Sequence, residues 1–446
     1  MRLPRLLLTL PLAFVLVAGG LRVSTAPVRQ AAAPAALSDG IALSKPESVG
    51  FSSEALKDLD AGMQGIVDSK HLAGVVTLVA RHGKVVQHKA YGVQDVATQT
   101  PMQLDTIVRV YSMTKPIAGA AMMMLYEEGK WQPADPIAKH IPEFANLKVF
   151  SGMDANGQPI LVAPNHAPTL GELMSHTAGF TYGLFGNSPV DKMYQADNPL
   201  DAPTLQGFID KVAKLPLLYQ PGEKWVYSVS VDIQGYLVQK LSGKSFPDFL
   251  RDRLFTPLGM KDTGFMVPES KLSRVSTIYA WDPAGKALKG SPHDPGISKM
   301  PGLPSGGGGL YSTAVDYFRF AQMMLNGGEL DGKRYLEGST VAMMRTNVLN
   351  EQTLNSKSGI GPVHLQPGLG FGYDFAVMSD PAALKSPLGK GSYWWWGIAG
   401  TWFWNDPAND LLFIGMIQRR GGAPGAANHE DLARAAVYKA LIDPGK

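Results

Sequence analysis

Apolar positions along this chain follow two periods. Over residues 53–67, Leu56, Leu59, Met63 and Ile66 recur at three- and four-residue spacing behind an N-cap candidate in Ser52 or Ser53, which predicts a helix. Residues 74–80 and 85–91 are rich in β-branched side chains and are broken at His82 and Gly83, where a hairpin needs glycine, so they predict two antiparallel strands. From about 116 to 300 helical spacing dominates between many Pro and Gly connections, and no repeat of roughly 20 to 50 residues is visible. Strand character returns over 393–404 and 411–418, on either side of a turn at 405–409, and residues 430–442 predict a closing helix. Strands from distant parts of the chain predict an α+β fold. One antiparallel sheet is assembled from about 45–115 and 370–446, flanked by N- and C-terminal helices, with a mostly helical part at about 116–300 and an active site between the two.

The first residues follow a different pattern. Arg2 and Arg5 precede a mostly apolar run over 6–17, and small residues follow at Ala18, Gly19, Gly20 and Ala26. This is the layout of a secretory signal peptide, expected over 1–26, with a linker over 27–44 and a single large domain over 45–446. An exported protein, periplasmic or secreted, is the expectation. The alternative is an uncleaved anchor, although the run is short of the roughly 20 residues a spanning helix needs. The chain has no cysteine, which excludes disulfides and lipid attachment at cysteine; a core of this size needs no such staples. With 45% hydrophobic and 18% charged residues, 446 residues can bury a large core. The net charge of +3 carries no basic block, so nothing favours a nucleic-acid partner. The nine His show no ligand-like spacing, so neither a metal nor another cofactor is expected.

Candidate chemistry starts at Ser112, Met113, Thr114 and Lys115, an S-x-x-K followed by Pro116 and small residues. Residues three apart share a helix face, so the Lys115 amine can reach the Ser112 hydroxyl and take its proton. It does so only if burial, or the positive potential at a helix start, lowers its pKa. About a hundred residues on, a turn at Pro221 and Gly222 delivers Tyr227 between small and apolar residues, and a phenol near a lysine ammonium is expected to favour phenolate and shuttle protons. The glycines 306–309 permit close backbone approach but lack the G-K-[ST] of a phosphate loop. Trp395, Trp396 and Gly397 form an aromatic segment in which glycine marks a bulge or a close approach. There is no G-x-S-x-G elbow for an α/β-hydrolase triad.

In this order and spacing the segments resemble the serine β-lactamase and penicillin-binding-protein superfamily, and within it the class C β-lactamase-like family VIII carboxylesterases. That pattern is S-x-x-K, then Y-x-x or Y-x-N, then W-x-G in the place of K-T-G, filled here by Ser112 to Lys115, Tyr227 to Val229 and Trp395 to Gly397. Residues 173–179 are similar to the family's L-L-x-H-T-S-G, which makes His176 structural rather than catalytic. The resemblance runs from roughly residue 45 to the C-terminus and implies Ser112 as nucleophile, Lys115 as base or proton relay, and Tyr227 as the group that activates the serine and protonates the leaving group. It also implies an oxyanion hole from the backbone N–H groups of Ser112 and Ile398.

Departures from the pattern point to the substrate. Val229 stands where β-lactamases have an Asn that holds the substrate amide, and Trp395 and Trp396 replace the Lys and Thr that meet a carboxylate. Trp395, Trp396, Gly397 and Val229 are therefore the expected substrate-binding positions, suited to neutral small-molecule esters with short to medium acyl chains or aryl groups. Loops within 181–203 and 350–367 are expected to shape the cleft. The enzymatic alternative is a β-lactamase, D-amino-acid peptidase or other amide hydrolase. A non-catalytic penicillin-binding-like sensor is the remote one, since it would have no use for Ser112, Lys115 and Tyr227 together.

Overall fold

The computed structural model describes residues 41–355, 361, 365–422 and 424–444. The signal peptide expected over 1–26, and the linker up to residue 40, lie outside the described residues, as do 356–360 and 362–364 of one expected cleft loop. In chain order the elements that carry the architecture are α1 (Lys57–Asp68), β1 (Gly74–Arg81), β2 (Lys84–Asp95), β3 (Thr100–Pro101), α2 (Thr114–Glu127), α3 (Ser230–Ser242) and α4 (Ala314–Leu325). They are followed by β4 (Leu369–Phe371), β5 (Ala376–Met378), β6 (Tyr393–Trp396), β7 (Trp402–Asp406), β8 (Leu411–Met416) and α5 (His429–Ala440).

The eight strands form one sheet in the order β4-β5-β6-β7-β8-β1-β2-β3, every pair antiparallel. The two ends of the chain meet at its centre, where β1 pairs with β8 from Val76 opposite Met416 to Arg81 opposite Leu411. Side chains alternate between faces along a strand. Val75, Val79, Trp402, Trp404, Leu411 and Phe413 therefore pack under α1 and α5 in one core. Val76, Leu78, Phe403, Leu412, Ile414 and Met416 point the other way, into the core shared with α2 and α4. At the end of β1 a buried arginine locks the termini together. Arg81 donates to the carbonyls of Val49 (2.8 Å) and Asn409 (2.9 Å) and pairs with Asp443.

Three expectations need correction. The helix expected from residue 53 begins at Lys57, because Ser52 holds the preceding residues in a turn, its carbonyl accepting from Leu56 N–H (3.0 Å) and its hydroxyl from Ala55 N–H (3.1 Å). The aromatic run 393–404 is a hairpin and not one strand. Gly397 N–H donates to Thr401 carbonyl (2.7 Å), Gly400 takes φ 85°, and Trp396 ends opposite Trp402. Strong aromatic β-propensity masked a turn that only its glycines signalled. The stretch 116–300 also contains two hairpins, Val149–Met153 with Pro159–Val162 and Ile278–Asp282 with Ala287–Ser291, beside its helices.

The hairpin between β1 and β2 forms as its sequence demands. His82 (φ 51°) and Gly83 (φ 70°) both take left-handed conformations, the requirement of a two-residue turn that follows the strand twist. In α2 every residue from Thr114 to Leu125 is buried, so the helix runs through the core instead of over it. Among the described residues no helix is long and apolar enough to cross a membrane.

The sheet depends on its aromatic stack. Phe413 is fully buried, lies 4.3 Å from the Trp404 ring at 6° and 5.4 Å from that of Trp402. Phe413→Ala is expected to cost about 3–5 kcal/mol, read as a lower denaturant midpoint at unchanged m-value; a midpoint within error of the parent would contradict this packing.

Candidate active site

Ser112 occupies the 3-10 turn Tyr111–Met113 that leads into α2. Tyr111 holds a left-handed φ of 45°, a conformation that costs energy for a non-glycine residue and persists only when its surroundings enforce it. Its phenol accepts from Arg420 Nη2 (2.5 Å), and Arg109 lies 4.7 Å over its ring. The backbone at Val108 and Arg109 pairs with Ser312 and Tyr311, which brings the glycine run 306–309 beside the turn. Lys115, one turn on, reaches both: Nζ is 3.1 Å from Ser112 Oγ and 2.6 Å from the Gly307 carbonyl.

Lys115 is fully buried. Burial is the main reason its amine is brought down from 10.5 to about 8, while the nearby carboxyls of Asp232 and Asp374 act in the opposite direction. Burial likewise pushes both carboxyls up, Asp374 well up, and the Lys115 charge opposes that rise. Asp232 is richly partnered, accepting from Ser305 Oγ (2.5 Å), Gly307 N–H (3.0 Å) and Tyr182 Oη (3.2 Å). It thus fixes the same Gly307 whose carbonyl holds the amine. Asp374 accepts from Gln234 Nε2 (3.3 Å) through one oxygen, and the other has no partner among the described residues. That second oxygen faces Gly119 of α2, where a Cβ would come within 2.5 Å of it.

Tyr227 completes the cluster. Its ring lies 4.6 Å from Lys115 Nζ, its phenol meets the Ser112 hydroxyl, and Trp395 Nε1 donates to it (3.2 Å). The expected phenolate is not favoured. Burial pushes the phenol up, and the hydrogen bonds from Ser112 and Trp395 only partly oppose it. At rest Tyr227 is therefore a proton donor, and Lys115 is the group able to accept a proton near neutral pH. His176 stands behind Tyr227 at a ring distance of 5.0 Å, with Nδ1 3.0 Å from Ser228 Oγ. Burial holds its imidazole well below the usual range, hence neutral, and its carbonyl anchors Val226 N–H (2.9 Å).

A cavity of about 250 Å³ opens over Ser112, lined by Tyr182, Tyr227, Trp395, Trp396 and Ile398, with exposed Leu184 and Phe185 at its rim. The Ser112 N–H belongs to the first turn, whose donors find no partner inside the helix. The Ile398 N–H, in the turn of the β6–β7 hairpin, has no acceptor among the described residues. Two expected substrate-binding residues are elsewhere. Val229 is buried as the residue that starts α3, and Gly397 lies beneath the cleft against the Val110 carbonyl, where a side chain would clash. The sequence reading missed Tyr182, Asp232 and Asp374. Tyr182 closely follows the segment 173–179, but a buried Asp on an otherwise apolar helix or loop carries no distinguishing spacing. Among the described residues no cluster of three His, Cys, Asp or Glu side chains could hold a metal ion.

A sequence model of the family described as Beta-lactamase matches residues 59–438. Protein Rv1367c of Mycobacterium tuberculosis is 36% identical over 369 residues, covering 80% of this chain and 88% of that protein. Esterase EstB of Burkholderia gladioli is 29% identical over 368 residues, covering 77% and 86%. Among solved structures, EstCE1, described as a hydrolase with promiscuous acyltransferase activity, superposes with a TM-score of 0.70 at 25% identity, covering 86% of this chain and 99% of its own.

The amine's burial sets a pH dependence. Lys115 accepts the Ser112 proton only when neutral, a state that makes up about a tenth of the population at pH 7 and most of it at pH 9 when the pKa is about 8. Labelling of Ser112 by a serine-reactive phosphonate is therefore expected to accelerate as pH rises through about 8 and then level off. It should vanish in Ser112→Ala and fall by orders of magnitude in Lys115→Met; a rate that stays flat from pH 6 to 9 would remove Lys115 as the base.

Proposed function

The chain belongs to the β-lactamase family and is a serine hydrolase, and we propose that the bond it cleaves is a carboxylic ester with a short to medium acyl chain or an aryl alcohol. Ser112 Oγ attacks the carbonyl carbon as its proton passes to Lys115 Nζ. The carbonyl oxygen, now carrying the charge, is met by the N–H groups of Ser112 and Ile398, each such donor being worth about 2.7–4 kcal/mol of barrier. As the C–O bond to the alcohol breaks, the leaving oxygen takes the Tyr227 proton, and Lys115 returns one to Tyr227. Water then attacks the acyl-enzyme by the same route in reverse and releases the acid.

The observation that carries the ester reading is Trp395. Its Nε1 sits on the Tyr227 phenol at 3.2 Å and its ring lines the cleft. Where K-T-G members of the superfamily present a cation to an anionic β-lactam, this wall presents an indole. Val229, in the place of the amide-holding Asn, is an apolar residue withdrawn from the cleft. An ester also asks less of the donor, since an alkoxide leaving group needs less proton transfer than an amine. The esterase name of the Burkholderia relative supports the same reading. We further propose export, on the strength of Arg2, Arg5 and the apolar run at 6–17, with cleavage near Ala26.

Hydrolysis of p-nitrophenyl esters from acetyl to dodecanoyl, beside the chromogenic cephalosporin nitrocefin, tests the assignment. Ester turnover that declines for the long chains, with little nitrocefin cleavage and neither in Ser112→Ala, is the expected outcome. Fast nitrocefin turnover with poor ester hydrolysis would move the assignment to an amide-cleaving, β-lactamase-like enzyme.

A further inference from the structure

Two guanidinium groups flank Tyr111, the residue before the nucleophile. Arg109 lies 4.7 Å and Arg420 5.2 Å from its ring, and Arg109 also stands 5.9 Å over Tyr311. Gln418 ties their segments together, its Oε1 accepting from Arg109 N–H (3.2 Å) and its Nε2 donating to the Arg109 carbonyl (3.0 Å). Arg253, Arg274, Arg319, Arg334 and Arg434 each pair with a carboxylate. Among the described residues neither Arg109 nor Arg420 has one within 4.0 Å, and the buried Arg109 Nε has no hydrogen-bond partner at all. A guanidinium with an unused buried donor is costly unless something fills it.

These groups line a second depression of about 200 Å³, with Tyr311, Gln418 and His293. Arg109 and Tyr111 line this depression and the catalytic cleft alike, so one ligand can lie across both. The acid in its lining, Asp294, is engaged by its own turn, Oδ1 accepting from Gly296 N–H (2.8 Å). Two arginines and one aspartate leave a single positive charge among these groups to be matched.

We infer that the ester this enzyme takes carries a carboxylate away from the scissile bond, bound between Arg109 and Arg420 beyond Tyr111. This rests on the ester reading above. A monoanion matches the residual charge, and its two oxygens fit the planar fork of a guanidinium. The apolar wall of Trp395 and Trp396 then contacts the uncharged middle of the substrate, and the cation missing at position 395 is supplied on the opposite side of the nucleophile.

Equilibrium binding to Ser112→Ala, which needs no turnover, tests the subsite by itself. The probes are monomethyl adipate against dimethyl adipate, for a charge on the acyl side, and 4-acetoxybenzoate against its methyl ester, for a charge on the alcohol side. At least one anion is expected to bind about tenfold or more tightly than its neutral partner. That preference should be lost when Arg420→Gln is added, be partly retained with Arg420→Lys, and shrink at high salt in Ser112→Ala alone. If neither anion outbinds its neutral partner, or the preference survives both Arg420→Gln and Arg109→Gln, the subsite does not exist. Wild-type protein that hydrolyses neutral and anionic esters without discrimination overturns the subsite and leaves the esterase standing. An anion preference in Ser112→Ala, with no ester turned over by the wild type, overturns the esterase reading and keeps the subsite.

Discussion

Burial of one amine organises the site. A lysine in water is protonated near pH 7 and cannot act as a base, so Lys115 is useful only where water is excluded. That explains an otherwise uneconomical element, a helix buried on every side from Thr114 to Leu125. Such a helix admits close neighbours only because Ala118, Gly119, Ala120 and Ala121 are small, and at Gly119 the neighbour is the Asp374 carboxyl itself. The two buried carboxyls raise the amine's pKa, and Asp232, accepting from Gly307 N–H, holds the glycine run against it. Removing water alone would drive the amine lower still; a pKa of about 8 is the balance of desolvation against these charges.

The sheet meets a second constraint, which is to hold parts of the chain more than 300 residues apart in fixed register. The β1–β8 pair does this at the centre, where both faces are covered and a register slip would turn every core side chain outward. The site inherits that precision. Ser112 follows from the N-terminal strands, Trp395 and Ile398 from the C-terminal ones, and Tyr227 and Gly307 from the segments between. A short pairing of Val108 and Arg109 with Ser312 and Tyr311 ties the Ser112 turn to the glycine run. The left-handed Tyr111 is the residual strain of this convergence, and two arginines at its ring hold it there.

Much of this was legible in order and spacing. The amphipathic α1, the hairpin with His82 and Gly83 at its tip, and the two-ended sheet follow from periodicity and turn chemistry. Ser112, Lys115 and Tyr227 were readable because a hydroxyl and an amine three apart on a helix, joined by a tyrosine in a set order, form a pattern. The hairpin at Gly397 to Thr401 was hidden because seven aromatic residues in twelve outweigh two glycines in any propensity argument. Asp232 and Asp374 were hidden for a different reason. Their role depends on burial beside Lys115, a fact of tertiary packing with no local signature. The protonation of Tyr227 was misjudged on the same ground, since proximity to an ammonium argues for phenolate and only the depth of burial reverses it.

Trp395 bears on both the lining of the cleft and the tuning of the Lys115 amine. In K-T-G members of the superfamily a lysine ammonium stands at that place, beside the tyrosine and the nucleophile. A cation there would favour phenolate at the tyrosine and lower the neighbouring amine through like-charge repulsion. With an indole instead, both effects are gone: burial pushes the Tyr227 phenol up, and desolvation is the chief cause that lowers the Lys115 amine. The same exchange lines the cleft with apolar surface where an anion would have been met. Restoring a lysine at 395 would therefore change ligand charge preference and proton inventory together, because one side chain sets both.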